Sequence, residues 1–174
     1  DIDKIKGTTL KISKSKKGDK FSGLNGNTYE LDDNMLVISD EQSVDDLAGI
    51  MGGERTGVTE NTTRMFLEAA IFDPVSIANT GRKLNLNSDA RYRFERGLDY
   101  NSPETVMHYA AAIFNKICGG KFSKIVNFKL EQKDKIIKFD PNIIYQLTGI
   151  KIKNELSKSI LEKLGFKILS VDHT

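Results

Sequence analysis

Three prolines divide this chain, and each one follows a residue that starts helices. Asp73-Pro74, Ser102-Pro103 and Asp140-Pro141 place the ring where a helix begins. There its fixed φ is already helical and its missing N–H has no partner to lose. Glycines close the runs that follow. Gly119-Gly120 ends a helical spacing of Val106, Ala110, Ala111, Ile113, Phe114 and Ile117, and Gly149 and Gly165 end two shorter runs. The pattern predicts one helix from Pro74 to about Leu84, a second opened by Ser102, and a short third from Asp140 to about Gly149. A fourth, capped by Asn154, carries Leu156, Ile160, Leu161 and Leu164.

The stretch before Pro74 reads differently. Lys17-Gly18-Asp19 and Asn25-Gly26 are turn signals, the second a strong hairpin dipeptide. Strands are expected over residues 8–13, 28–31 and 35–39, and the apolar run 47–51 reads as a buried strand ending at Gly52-Gly53. Residues 65–72 fit a strand or a short helix by period, and the sharp stop at Asp73-Pro74 selects the strand. Further strands are expected at 122–130, 136–139 and 166–169. The polar stretch Glu131 to Lys135 is the candidate boundary. The expected class is α+β: a mixed β core with flanking helices over residues 1–130, then part of a small helix-containing unit over 136–174.

With 174 residues, the chain is long enough for one core plus such a unit. A formal charge of +2, from 26 basic and 24 acidic residues, gives no whole-chain case for nucleic acid, so any RNA contact must be a local patch. No apolar run approaches the roughly 20 residues that span a bilayer, which excludes a membrane partner of that kind. Cys118 has no second cysteine to pair with, which fits a reducing, cytoplasmic setting; it reads as a small buried hydrophobe. With one Cys and isolated His108 and His173, no zinc set is visible, and no metal site is assigned. The glycines of residues 48–57 match neither the phosphate-binding loop nor the dinucleotide fingerprint, and no serine sits in a nucleophile-elbow pattern. The chain opens at Asp1 without Met and stops shortly after an apolar run, and so reads as a fragment.

Every arginine lies between Arg55 and Arg96, while lysine carries the positive charge elsewhere. Arginine offers a fixed fork for carboxylate or phosphate that lysine lacks. The run Arg91-Tyr92-Arg93-Phe94-Glu95-Arg96-Gly97 therefore has two readings: a nucleic-acid contact through Arg93 and Arg96, or an internally paired turn in which Glu95 takes a neighbouring arginine. The second is favoured.

Three motifs in order carry a resemblance: Ala48-Gly49-Ile50-Met51-Gly52-Gly53-Glu54, Leu67-Glu68-Ala69-Ala70-Ile71-Phe72-Asp73-Pro74, and Ser88-Asp89-Ala90-Arg91-Tyr92-Arg93-Phe94-Glu95-Arg96-Gly97. They resemble successive signatures of the bacterial phenylalanyl-tRNA synthetase beta-subunit family. Ile117-Cys118-Gly119-Gly120 resembles the close of that family's editing domain, and Asp140-Pro141-Asn142 through Phe166 the start of its next module. The resemblance implies an editing domain that hydrolyses tyrosine wrongly attached to tRNA(Phe). It also implies an alpha subunit that carries the charging site, ATP and magnesium for the full ligase with no cofactor in this fragment, and a heterotetramer of two alpha-beta pairs. By position Glu68 matches the residue that recognises the tyrosine hydroxyl, Ala48 and Gly49 the backbone lining, and Ala90 a pocket wall. Arg91 stands where the family often has Ser. The family's Thr-Asn pair and pocket His fall upstream of Asp1, so the fragment alone is expected to be inactive. The alternative is a structural or tRNA-docking module of the same subunit, without hydrolysis.

Glu68 in that role makes physical sense. An apolar pocket rejects an added hydroxyl only weakly, by roughly a hundredfold, so a second site that requires the hydroxyl restores fidelity. A carboxylate accepts a charge-assisted bond from the phenol, and phenylalanine would leave it unpaired at about 1–3 kcal/mol. Taken without the resemblance, Glu68 reads as a strand-edge residue facing solvent. Gly49, Gly52 and Gly53 allow close backbone approach to an ester carbonyl, or equally only tight strand packing.

Overall fold

The computed structural model describes residues 1–128 and 135–170. The chain divides into two compact units, Asp1–Leu130 and Glu131–Thr174. The class is α+β, with antiparallel sheets and five helices among the described residues.

In the first unit, β1 (Lys11–Lys14), β4 (Leu36–Ser39), β5 (Val44–Leu47) and β6 (Met51–Gly52) form a sheet in that order. A separate hairpin pairs β2 (Lys20–Ser22) with β3 (Thr28–Glu30). Every ladder among the described residues is antiparallel. Asn25-Gly26 lies in the β2–β3 turn, with Gly26 at φ +77°, a conformation glycine adopts without strain. Phe21, Leu31, Val37, Leu47, Ile50 and Ile77 are buried together as the centre of the core.

Helix α1 (Pro74–Lys83) begins as expected, with the Asp73 carboxylate accepting from the Ser76 N–H at 2.7 Å. This satisfies one of the orphan N–H groups of the first turn. A six-residue helix α2 (Asp89–Phe94) follows, capped by Ser88, and then α3 (Ser102–Cys118), which stops at Gly119 with φ +69°. In the second unit, α4 (Asn142–Thr148) ends on a left-handed Gly149, and α5 runs over Asn154–Lys163. Asn154 is the first residue of α5 rather than its cap: the Lys153 carbonyl already accepts from the Ser157 N–H at 3.1 Å.

The strand expectations fare less well. Residues 47–51 are not one strand. Gly49, at φ +69°, reverses the chain, the Ile50 N–H reaches the Leu47 carbonyl at 2.8 Å, and the run becomes the turn between β5 and β6. Residues 65–72, 122–128, 136–139 and 166–169 carry no ladder. Apolar, β-branched composition prepares a segment for a strand, but only a second strand completes one, and among the described residues none lies alongside. Residues 129 and 130 of the expected 122–130 strand, and most of the expected boundary, fall outside the described residues. Cys118 is exposed rather than buried, because it ends a helix none of whose residues is buried.

Candidate functional site

The site is built around the β5–β6 turn. Along β5 the register slips between Ile38 and Ser39: Ile38 pairs with Asp46 and Ser39 with Val44, leaving Asp45 as the extra residue of a β-bulge. Residues directly opposite in an antiparallel pair share a face. Asp46 therefore stands beside Ile38, and both line the same cleft. At the end of β5 the turn brings Gly49 against three side chains. A Cβ built there would lie 3.1 Å from both Ile77 and Phe72 and 3.2 Å from Phe94, so any side chain at this left-handed position would crowd the wall.

Two hydrogen bonds hold α2 against this turn. The Ser88 hydroxyl accepts from the Arg91 N–H at 3.0 Å and donates to the Ile50 carbonyl at 2.6 Å. Phe94, on the last turn of α2, then meets Phe72 with ring centroids 5.6 Å apart, a tilted aromatic pair. Residues 68–70 supply another wall, and Leu98, Ser102, Pro103 and Val106 close the rest. The result is a cleft of about 360 Å³.

Its chemistry is lopsided. Glu68 and Asp46 are its acidic side chains, and no lysine, arginine or histidine lines it. The Ser102 hydroxyl is committed to the Asp99 carbonyl at 2.7 Å. As a residue Glu68 is exposed, yet the cleft walls crowd its carboxyl enough that burial pushes it above its ordinary value. Asp46 is half-buried. Burial first, then the Glu68 charge and then Asp45, push its carboxyl up to about 7. Neither carboxylate has a hydrogen bond or ion pair among the described residues. In the turn itself, the Ala48 N–H is taken by the Leu36 carbonyl at 3.1 Å and the Ile50 N–H by Leu47, whereas the Gly49 N–H bonds to no described residue.

A family model described as B3/4 domain matches residues 1–119. The chain belongs to the B3/4 domain family. It is 43% identical over 166 residues to the phenylalanine–tRNA ligase beta subunit of Paramagnetospirillum magneticum, covering 95% of this chain and 21% of that protein. The beta subunit of Bartonella henselae is 44% identical over 167 residues, again 95% of this chain and 21% of the relative. That of Zymomonas mobilis is 38% identical over 169 residues, 97% and 21%. The chain thus spans about a fifth of the length of these curated relatives.

Of the site residues expected from sequence, this B3/4 domain brings Glu68 and Gly49 together in the cleft. Ala48 is fully buried beside Gly49, and Ala90 is exposed on α2; neither lines the cleft. The arginine run is paired internally in part. Arg91 Nε donates to Glu95 at 3.0 Å, its Nη1 reaches the Leu86 carbonyl at 2.6 Å, and its side chain lies across Gly81 of α1. Arg96 bonds Glu95 at 3.1 Å and stacks 3.6 Å over the Tyr92 ring. Arg93 is exposed, with no ion pair among the described residues. His108 is exposed on α3, outside the cleft. No group of three His, Cys, Asp or Glu side chains that would hold a metal occurs among the described residues. No described helix is long and apolar enough to cross a membrane.

Sequence reading missed Asp46 and the Phe72–Phe94 pair. The aromatic residues lay inside recognised motifs, but their meeting across 22 positions leaves no local signal. Asp46 followed an identical neighbour, Asp45, and nothing in an Asp-Asp pair marks which one faces a cleft.

Proposed function

We propose that this chain is the editing part of a phenylalanine–tRNA ligase beta subunit, hydrolysing tyrosine wrongly esterified to tRNA(Phe). The observation that carries the reading is the placement of Glu68 in one cleft with the Gly49 turn and the Phe72–Phe94 pair. An aromatic side chain of the amino acid packs on the two rings and puts its para position toward the acidic wall. Tyrosine gives its hydroxyl to the Glu68 carboxylate, and phenylalanine leaves that acceptor unmet. The aminoacyl ester is activated, so a positioned water and a backbone donor on its carbonyl suffice; the Gly49 N–H is the candidate donor. No general base is assigned.

By the same reading the full enzyme is a ligase of alpha and beta subunits, in a cytoplasmic heterotetramer, that attaches phenylalanine to tRNA(Phe). Its ATP and magnesium serve the alpha subunit's charging site rather than this cleft. Arg93, exposed and with no ion pair among the described residues, supports tRNA docking beside editing. That contact would weaken as salt rises, since phosphate binding releases counterions.

The test is Glu68→Ala in the complete ligase. Deacylation of tyrosyl-tRNA is expected to fall by one to two orders of magnitude, the worth of a charged hydrogen bond. Phenylalanine charging at the separate site should stay within about twofold. Undiminished deacylation by a folded variant would remove Glu68 from the mechanism. Parallel loss of charging would point to a structural role instead.

A further inference from the structure

We propose that Asp46 is a second specificity residue of the cleft, a protonated donor lining it with the Glu68 acceptor, so that the pair meets a phenolic hydroxyl as donor and acceptor at once. This rests on the editing reading above and names the device by which that cleft tells a hydroxyl from a hydrogen.

Placement comes first. Asp46 is held rigidly: it sits on β5, paired with Ile38 on one side and Gly52 on the other. Glu68 reaches the same cleft from a segment 22 residues further along the chain, and Phe72, Phe94 and Ile38 make the space between them largely apolar.

Charge decides what such a space accepts. Two carboxylates and no basic side chain repel a phosphate, so the cleft does not serve the nucleic-acid backbone. Two like groups lining one cleft do not both ionise readily, and a single retained proton is the lower-energy arrangement. The groups facing Asp46 agree with this. Glu68 faces it across the cleft and Asp45 adjoins it on β5, and both act against its ionisation. Arg55, which reaches the neighbouring Asp45, is occupied by Asp40 and Asp45. A carboxylic acid donates and a carboxylate accepts. A phenol does both, so it completes the pair; the phenylalanine ring does neither. Asp46, the more strongly raised of the two, is the acid that donates, and Glu68 is the carboxylate that accepts.

The experiment measures deacylation of tyrosyl-tRNA by the complete ligase across pH 6 to 8.5, with spontaneous ester loss subtracted. Thermal unfolding of each variant serves as the control on folding. Wild-type enzyme is expected to lose several-fold in kcat/KM as pH rises through about 7, where Asp46 ionises. Asp46→Asn keeps a donor at every pH, so its profile should lose that fall. Asp46→Ala removes the partner and should lower kcat/KM about tenfold or more across the range. A merely structural Asp46 would lower stability without changing the shape of the profile, and that result overturns the proposal. So does an Asp46→Ala enzyme that deacylates like wild type. A wild-type enzyme with no deacylation at any pH would instead defeat the editing reading, and this proposal with it.

Discussion

Asp45 and Asp46 are neighbours on β5, and the fold treats their carboxylates in opposite ways. Asp45, at the bulge, joins Asp40 in gripping Arg55, whose Nη1 also donates to the Lys4 carbonyl at 2.9 Å. Asp40 is fully buried at its side chain and accepts from the backbone N–H groups of Lys6, Gln42 and Ser43. Burial alone would raise its carboxyl, but those bonds and Arg55 outweigh it and hold the group far below the usual carboxylate range. For Asp45, burial wins over the Arg55 charge and the carboxyl is raised. One residue on, Asp46 has no side-chain ion pair or hydrogen bond among the described residues and lines a cleft with Glu68 and mostly apolar side chains. The contrast separates two uses of buried charge. Where partners are supplied the carboxylate ties segments together; where they are withheld it stays open to a ligand.

The sharpest way to break this contrast is Arg55→Ala. It leaves Asp40 and Asp45 buried without their cation, and stability is expected to fall by about 3–5 kcal/mol in a denaturant titration. A loss under roughly 1 kcal/mol would mean the clamp is no more structural than an exposed pair. Gly49→Ala comes next. Its left-handed φ of +69° and the 3.1 Å approaches to Ile77 and Phe72 set an expected cost of about 2 kcal/mol, accompanied by loss of deacylation as the wall shifts.

Asp46→Asn gives the smallest effect and the opposite sign. Asp46 holds its proton up to about 7 in the folded state and only to about 4 when unfolded. The folded protein therefore binds more protons between those values, and stability falls as pH rises from about 4 to 7. Asn carries no such penalty. The variant should match wild type near pH 4 and exceed it by about 1–2 kcal/mol above pH 7, once its partial exposure is allowed for. Asp40 runs the other way: its contribution is present above the ordinary carboxylate range and is lost as pH falls through it. An advantage over wild type no larger at pH 8 than at pH 4 would show that Asp46 carries no burial penalty.

Signals that act within one turn of chain were readable in advance. Pro74 with Asp73, Pro103 with Ser102 and Asn25-Gly26 each impose a backbone conformation through their own rings, caps or missing Cβ, so α1, α3 and the β2–β3 turn stand where local chemistry puts them. The arginine cluster was also largely legible, because Arg91 and Glu95 are one helical turn apart and meet wherever a helix forms. The strands were not. Residues 65–72 have the composition of a strand and no ladder, and residues 47–51 became a turn once Gly49 took its left-handed angle. Pairing is a property of two segments, and one segment cannot announce its partner.

What the sequence determined by itself was the family signature, the starts of α1 and α3 and the residues available for chemistry, including Glu68. Which of these share a site was decided only by tertiary structure. In sequence Asp45 and Asp46 are the same residue written twice. A bulge on β5 puts the first against Arg55, ten positions away, and the second in a cleft that Glu68, twenty-two positions away, also lines. A carboxylate's proton affinity depends on how much water and which charges surround it, and those are set by chain segments far from it in sequence.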